Sequence, residues 1–379
     1  MRIGIDARFI GRPGGIGRYT EELVRRLSLC AARHEFFVFL RDEGLRRLGD
    51  WSPKNVTKRR AEIPWYGLAE QIRLPGLIDR AQLDLVHFPH WNVPLRIQTP
   101  FVLTIHDLLI LEHPTARATT WGPVVYAIKR SGHRAVLSQA IRRARRIIVP
   151  SEFVKQSIVV HFPQATARTV VIPEGVSTPP PLPPSLEGRE KREGEFQKVS
   201  ILYVGNAYPH KNVERLLSAF AMVRETLPGA TLTIAGYDDY FFQRLRQFAH
   251  KRGLAQNVSF IPSPQDDTLE GLYRAAEVLI MPSETEGFGL PPLEAMARGV
   301  PVVSSTGGSL PEVLGDAASF FNPHNTAEMA SALKKVLTDS AYREILRTRG
   351  RERARRYSWE ETARNTMEIY EQEERQRGN

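Results

Sequence analysis

The stretch EVLIMPSETEGFGLPPLEAMARG, residues 277–299, holds a strand, a loop and a helix in immediate succession. EVLIMPS reads as a strand ending near Ser283, because its unbroken apolar run is the pattern of a strand covered on both faces. Gly287 and Gly289 keep a helix from starting there and let the backbone approach a ligand without interference from a Cβ. Pro291 and Pro292 suit a first helical turn, where a missing N–H costs nothing. Leu293 to Arg298 continue the helix and Gly299 closes it. Glu286 then lies in the loop, and Glu294, eight residues on, in or just after the first turn. The amides of Phe288, Gly289 and Leu290 are placed to face an anion, helped by the helix dipole. Acids beside such a site would repel a phosphate, so their sensible role is to accept hydrogen bonds from hydroxyls. Amides for a phosphate and acids for hydroxyls together point to a nucleotide sugar. Taken alone, the loop fits a plainer reading equally well, with Glu294 favouring the helix dipole and Glu286 simply exposed.

The same grammar recurs along the chain. The first half offers RIGIDA, FFVFL, DLVHF, FVLTIHD, RRIIVPS and TVVIPEG; the second offers VSILYVG, ATLTIAG, VSFI, EVLIMPS and VPVVSS. Apolar strands spaced by helical patterns predict parallel sheets with helices on both faces. Between the halves, STPPPLPPSLEGREKREGEF (177–196) has five prolines and then a charged, Gly-containing run, the composition of a linker. The expected organisation is an α/β chain of two Rossmann-like, doubly wound domains facing a cleft. Domain one covers residues 1–175, the linker 176–198 and domain two 199–355; a final helix, 356–379, returns to domain one. Ligands in such sheets bind at the carboxyl ends of the strands, so the segments directly after strands carry the functional reading.

Composition narrows the class. Hydrophobic residues make up 42% and charged residues 25% of the 379, as in a soluble globular protein. No apolar run approaches the roughly 18–20 residues of a membrane span. MRIGIDARF reads as a strand and not as a signal peptide. Cys30 is the only cysteine, which excludes disulfides and cysteine-based metal sites and predicts a cytoplasmic location. Residues 1–175 carry 27 Lys and Arg against 15 Asp and Glu, so the whole net charge of +10 originates there. The run Arg142-Arg143-Ala144-Arg145-Arg146 could touch anionic lipid, although a solvated helix face is the plainer reading for that run alone.

Three further segments follow strands. Gly205-Asn-Ala-Tyr-Pro-His-Lys211-Asn places Lys211 where a cation can neutralise a diphosphate leaving group. Gly11-Arg-Pro-Gly14-Gly15-Ile-Gly-Arg18 is a glycine-rich turn between the first strand and a helix, phosphate-friendly but neither GxGxxG nor a Walker loop. FVLTIHDL sets His106 and Asp107 at another strand end. Asp84, His87 and His90 in DLVHFPHW fit no standard zinc spacing, and strand-end packing is the stronger reading. Trp65, Tyr66, Trp91 and Trp121 all lie in the basic half, as core residues or as part of an acceptor or membrane surface.

GRPGGIGRY, TIHDL, GNAYPHKN and EGFGLPPLE together resemble the nucleotide-sugar-dependent, retaining glycosyltransferases of family 4, which have the GT-B fold. The downstream AMARGVPVVSSTGGSLPEVLGDAASFFNP fits the same pattern, so the resemblance spans essentially the whole chain. It implies that Glu294 binds ribose hydroxyls, Glu286 the hydroxyls of the transferred sugar, and the Phe288, Gly289 and Leu290 amides the sugar and phosphate. Lys211 would bridge the diphosphate, Gly14 and Gly15 would approach it, and His106 would sit by the reacting carbon. Gly236 and a loop at Ile261 and Pro262 would border the base. One departure stands out: where the family often carries an arginine paired with the lysine, this chain has Asn206, with His210 nearby.

A double displacement would need a carboxylate on the far face of the sugar, and both glutamates already have hydroxyl-binding roles. The resemblance implies a same-face substitution in which the departing diphosphate accepts the acceptor's proton. No Asp-x-Asp pair occurs, so no cofactor or metal is expected. The motif context most resembles GDP-mannose users, with a UDP-sugar as the other option. A glycan or lipid-linked acceptor is implied, with no nucleic-acid partner, at a site that is cytoplasmic or peripheral to the inner membrane face. Two rival readings are a GT-B-fold sugar-nucleotide epimerase and a non-catalytic nucleotide-sugar-binding protein.

Overall fold

The computed structural model describes residues 1–12, 14–30, 33–112, 123–177 and 199–378; Pro13, Trp121 and nearly all of the linker stretch 177–196 lie outside them. The chain divides into two compact units, Met1–Gly175 with Ser358–Asn379, and Val176–Tyr357.

In the first unit seven parallel strands form one sheet: β1 (Arg2–Asp6), β2 (Glu35–Leu40), β3 (Val56–Arg60), β4 (Leu85–Phe88), β5 (Phe101–Thr104), β6 (Arg146–Val149) and β7 (Thr169–Val171). Their order is β3-β2-β1-β4-β5-β6-β7. β4 and β5 are buried along their whole length, which is why they read as unbroken apolar runs. β3, VTKRR, escapes that pattern: it is an edge strand whose outward charges discourage pairing with another chain.

The second unit repeats the plan with β8 (Ser200–Val204), β9 (Thr231–Gly236), β10 (Val258–Pro262), β11 (Val278–Met281), β12 (Val302–Ser305) and β13 (Ala318–Phe321). All pairs are again parallel, in the order β10-β9-β8-β11-β12-β13. Within each sheet the winding reverses beside the first strand, between β1 and β4 and between β8 and β11. Two loops leaving neighbouring strands there diverge to opposite faces and open a crevice at the strands' carboxyl ends.

The tail forms the helix Trp359–Gly378 and packs on the first unit against the helix Gly15–Cys30. Trp359 and Tyr370 are buried. Tyr370 Oη lies 2.5 Å from His87 Nδ1, Arg146 pairs with Glu373 at 2.9 Å, and the Thr362 hydroxyl donates to the Pro173 carbonyl at 2.8 Å. Among the described residues no helix is long and apolar enough to cross a membrane.

Candidate active site

The crevice between β8 and β11 brings Lys211 and Glu286 of the second unit together. β11 ends at Met281 and the helix Leu290–Ala297 begins nine residues later. Gly289 caps that helix at φ 99°, a left-handed backbone that a side chain rarely tolerates. Leu290 opens the first turn and is followed by Pro291 and Pro292, which carry no N–H, so the backbone donors at this end are those of Phe288, Gly289 and Leu290. The Phe288 ring turns away from that end, buried edge-on against Tyr357 at 5.5 Å. Only the Phe288 backbone is left for a ligand.

On the β8 side the chain turns through Pro209–Lys211 and reaches Asn212 in a left-handed conformation, φ 60° and ψ 26°. The Asn212 amide donates to the Pro282 and Pro323 carbonyls at 3.0 and 2.8 Å, and the Glu284 N–H donates to the His210 carbonyl at 2.8 Å. These bonds tie the two loops together and bring Lys211 Nζ to 2.8 Å from both oxygens of Glu286. The Ser283 hydroxyl donates to Glu286 Oε1 at 2.6 Å. Burial pushes the Glu286 carboxyl up, but the charge and hydrogen bond of Lys211, the Ser283 hydroxyl and His210 together hold it below the usual carboxylate range. Glu286 is therefore an anion at neutral pH, with Lys211 as its countercharge.

Glu294 accepts a hydrogen bond from Tyr273 Oη at 2.7 Å. Its neighbour Arg298 lies over the Tyr273 ring at 4.9 Å and bonds Glu270. Asn206, which stands where the family often has its arginine, shapes the loop instead of supplying a charge. Its Oδ1 accepts from the Tyr208 N–H at 3.3 Å and its carbonyl from Tyr203 Oη at 2.6 Å. The other group whose charge lowers the Glu286 carboxyl pKa, after Lys211, is His210.

Gly236 closes β9, and a Cβ there would collide with the Gly205 carbonyl, which gives its glycine a packing reason inside the sheet. Ile261 ends the strand run VSFI as read, and Pro262 is corrected from loop to strand: both belong to β10, paired with Ala235 and Gly236. Their backbone continues the edge of the sheet, and the turn begins at Ser263.

In the first unit Gly14, φ 120°, accepts the first helical bond from Arg18 N–H at 3.2 Å, and Gly15 opens the helix. His106 is less open than its strand-end position suggests. Its Nδ1 lies 2.8 Å from Glu174 Oε1, its Nε2 lies 3.0 Å from the Pro89 carbonyl, and its ring sits edge-on to Tyr19. Two acceptors at the two ring nitrogens require both to carry hydrogen. Burial opposes the charge, yet Glu174, the Pro89 carbonyl and Asp107 outweigh it and raise the His106 pKa above its ordinary value. His87 behaves oppositely: enclosed between Tyr370 and Thr104, it is pushed down to about 3 by burial and by the charge of His106. It packs the strand, as DLVHFPHW suggested, and among the described residues no cluster of three or more His, Cys, Asp or Glu could hold a metal.

At the β1–β4 crevice Arg8 is buried, paired with Asp6 at 2.7 Å and Glu70 at 2.5 Å. Glu70 also accepts from the Tyr66 N–H at 2.9 Å and from the Asn92 amide. Above this network Trp65 stacks on Phe9 at 4.8 Å, and Tyr66, His90, Trp91 and His133 form a continuous group of rings. Sequence reading missed Ser283, Asn212, Tyr273, Glu174 and Glu70. Ser283 and Asn212 sit in quoted loops and carried a local signal; Tyr273 and Glu70 are helical residues whose partners are distant in sequence.

Comparison with known proteins matches both halves. Residues 13–179 fit the family described as "Glycosyltransferase Family 4" and residues 188–353 that described as "Glycosyl transferases group 1". The O-antigen chain mannosyltransferase B of Escherichia coli is 31% identical over 94% of this chain and 95% of its own. The chain is a family 4 glycosyltransferase. The D-inositol 3-phosphate glycosyltransferase of Geodermatophilus obscurus is 26% identical over 97% of this glycosyltransferase and 86% of its own length. Two solved structures share the fold over nearly the whole of both chains: sucrose-phosphate synthase from Thermosynechococcus elongatus, 21% identical with a TM-score of 0.76 and covering 98% of each chain, and WaaG, 19% identical with a TM-score of 0.75 and covering 97% of this chain and 99% of its own. The glycosyltransferase therefore has the GT-B fold, and the epimerase reading is left without support.

Proposed function

We propose that this glycosyltransferase moves mannose from GDP-mannose to a growing or lipid-linked surface glycan with retention of anomeric configuration. The observation that carries the reading is the Lys211–Glu286 pair at the β8–β11 crevice, beside the opening turn of the helix Leu290–Ala297. A diphosphate draws Lys211 and the Phe288, Gly289 and Leu290 amides, and the sugar hydroxyls bond Glu286, whose charge Lys211 and Ser283 already maintain. Glu294, oriented by Tyr273, takes the ribose hydroxyls. The leaving diphosphate accepts the acceptor's proton on the face it departs from. Lys211 and the amides supply the charge stabilisation that a metal gives elsewhere, so the rate is unchanged by a chelator.

The choice of mannose leans on O-antigen chain mannosyltransferase B of E. coli and on RfbU of Salmonella typhimurium, 28% identical over 75% of this chain. HepE of Anabaena, solved with UDP and glucose, is 19% identical and keeps UDP-sugars in the test. The acceptor reading leans on the basic first 175 residues, which suit a surface of anionic lipid.

Transfer from GDP-mannose to a lipid-linked oligosaccharide should fall at least about tenfold in Lys211→Ala and in Glu286→Ala. Near-normal rates in both would sink the assignment. A thermal-shift panel of GDP, UDP and ADP should show the largest stabilisation with GDP; a larger one with UDP would reassign the donor.

A further inference from the structure

The helix Leu68–Asp79 in the first unit has its amphipathic sense reversed at its start. Of its two carboxylates Asp79 is exposed at the last position, whereas Glu70 points inward with Leu74, Pro75 and Ile78, held by Arg8, Asn92 and the Tyr66 amide. Leu68 and Ile72, one turn apart and so on one stripe, point outward with exposures of 80% and 74%. Burying a carboxylate while exposing two large aliphatic side chains is costly for a face that meets only water.

Two other segments continue this face. The Leu95 N–H donates to Gln71 Oε1 at 2.8 Å, which sets the turn Leu95–Arg96 against the helix; Leu95 is 40% exposed. Tyr66, 47% exposed, meets the His133 ring at 5.6 Å and so joins the helix Pro123–Arg143 to the same surface. Around these side chains Arg73, Arg96, Lys129 and Arg134 are exposed. Residues 64–78, 91–99 and 127–136 contain no acidic side chain except the buried Glu70, and the exposed Asp79 lies at the far end of the helix, about two turns from Ile72.

We propose that this face, built on Leu68, Ile72 and Leu95 with Arg73, Arg96 and Lys129 around them, seats the glycosyltransferase on a membrane bearing anionic lipid. Aliphatic side chains flanked by cations, with the helix's one exposed carboxylate at its far end, suit the boundary between acyl chains and anionic headgroups. A nucleic acid would engage the cations but offer nothing to Leu68 and Ile72. The proposal rests on the lipid-linked-acceptor reading above and names the surface that serves it.

The test is co-sedimentation of the full chain with vesicles of phosphatidylglycerol and phosphatidylcholine, against phosphatidylcholine alone. The protein should bind the anionic vesicles and leave them as salt is raised. Leu68→Ser with Ile72→Ser should weaken binding at least about tenfold, with the melting temperature and transfer to a soluble acceptor unchanged. Arg73→Glu with Arg96→Glu should do the same. Leu29→Ser, also at an exposed leucine, should bind as the parent does. Equal binding by the parent and the Leu68/Ile72 variant, equal binding to both vesicle types, or binding to RNA but not to vesicles would each overturn the proposal. If vesicle binding is lost as expected but no transfer to any acceptor is found in the parent, the functional reading fails while the membrane face stands.

Discussion

Two histidines 19 residues apart, His87 and His106, titrate in opposite directions for reasons visible in their partners. His106 gains Glu174 and the Pro89 carbonyl on folding, so its folded pKa lies above the ordinary value of about 6.5. Its stabilising contribution is fully present below about pH 6.5 and is lost as pH rises through the folded value. Glu174→Gln should therefore lower the melting temperature most in mildly acid buffer, and the gap from the parent should close towards alkaline pH. A gap independent of pH would mean that His106 is neutral. His87 gains burial and the nearby charge of His106, which both oppose its protonation, and neutral hydrogen-bond partners. Between its folded value of about 3 and an unfolded value near 6.5, the unfolded chain binds a proton that the folded chain does not. Stability must fall as pH drops through that window, and His87→Gln should flatten the acid limb of a melting-temperature profile by about one proton.

At the scale of elements, the catalytic candidates depend on two loops that are bonded directly to each other. Asn212 is the clip, with a left-handed backbone and an amide shared between the Pro282 and Pro323 carbonyls. Arg215 also donates to the Pro323 carbonyl at 2.7 Å, so removing the amide deprives mainly Pro282. Asn212→Ala should cost about 2–4 kcal/mol in urea denaturation, combining one unsatisfied carbonyl with a strained backbone. Asn212→Gly, which keeps the backbone relaxed, should cost about half of that and leave donor affinity weaker than the parent's. The strand, glycine loop and proline-started helix of residues 277–299 are legible in the sequence because each step has a local cause. So are the buried strands, whose apolar runs are unbroken. β3 is not legible, because an edge strand of VTKRR is written in charges and has no apolar signal. The Glu174–His106 bond is not legible either, because its partners are 68 residues apart and only the β5–β6–β7 pairing brings them together. Likewise Pro262 looks like the start of a loop, because a proline that closes an exposed edge strand carries no strand signal.

For the whole molecule, the decisive fact is that the first unit is assembled from both ends of the described sequence. Tyr370 of the tail helix closes on His87, and Tyr370→Phe leaves that histidine's Nδ1 without its partner. The loss should be about 1–3 kcal/mol, and in calorimetry it should lower one of two transitions while the other, from Val176–Tyr357, stays in place. A single transition moved as a block would show that the two units unfold together. The chain passes out of the first unit at Gly175 and back at Ser358, and Gly175 lies so close to the Ser358 and Trp359 backbone that a side chain there would collide with it. On a ribosome this sets an order of completion that runs against the order of synthesis. The unit Val176–Tyr357 has all of its residues before the tail helix exists. The earlier-made sheet waits, with the surface meant for Trp359 and Tyr370 uncovered, until residues 358–379 have emerged. At roughly 5–20 residues per second, that surface stays uncovered for about as long as the whole second unit takes to be made, the interval in which the nascent chain would most need a chaperone.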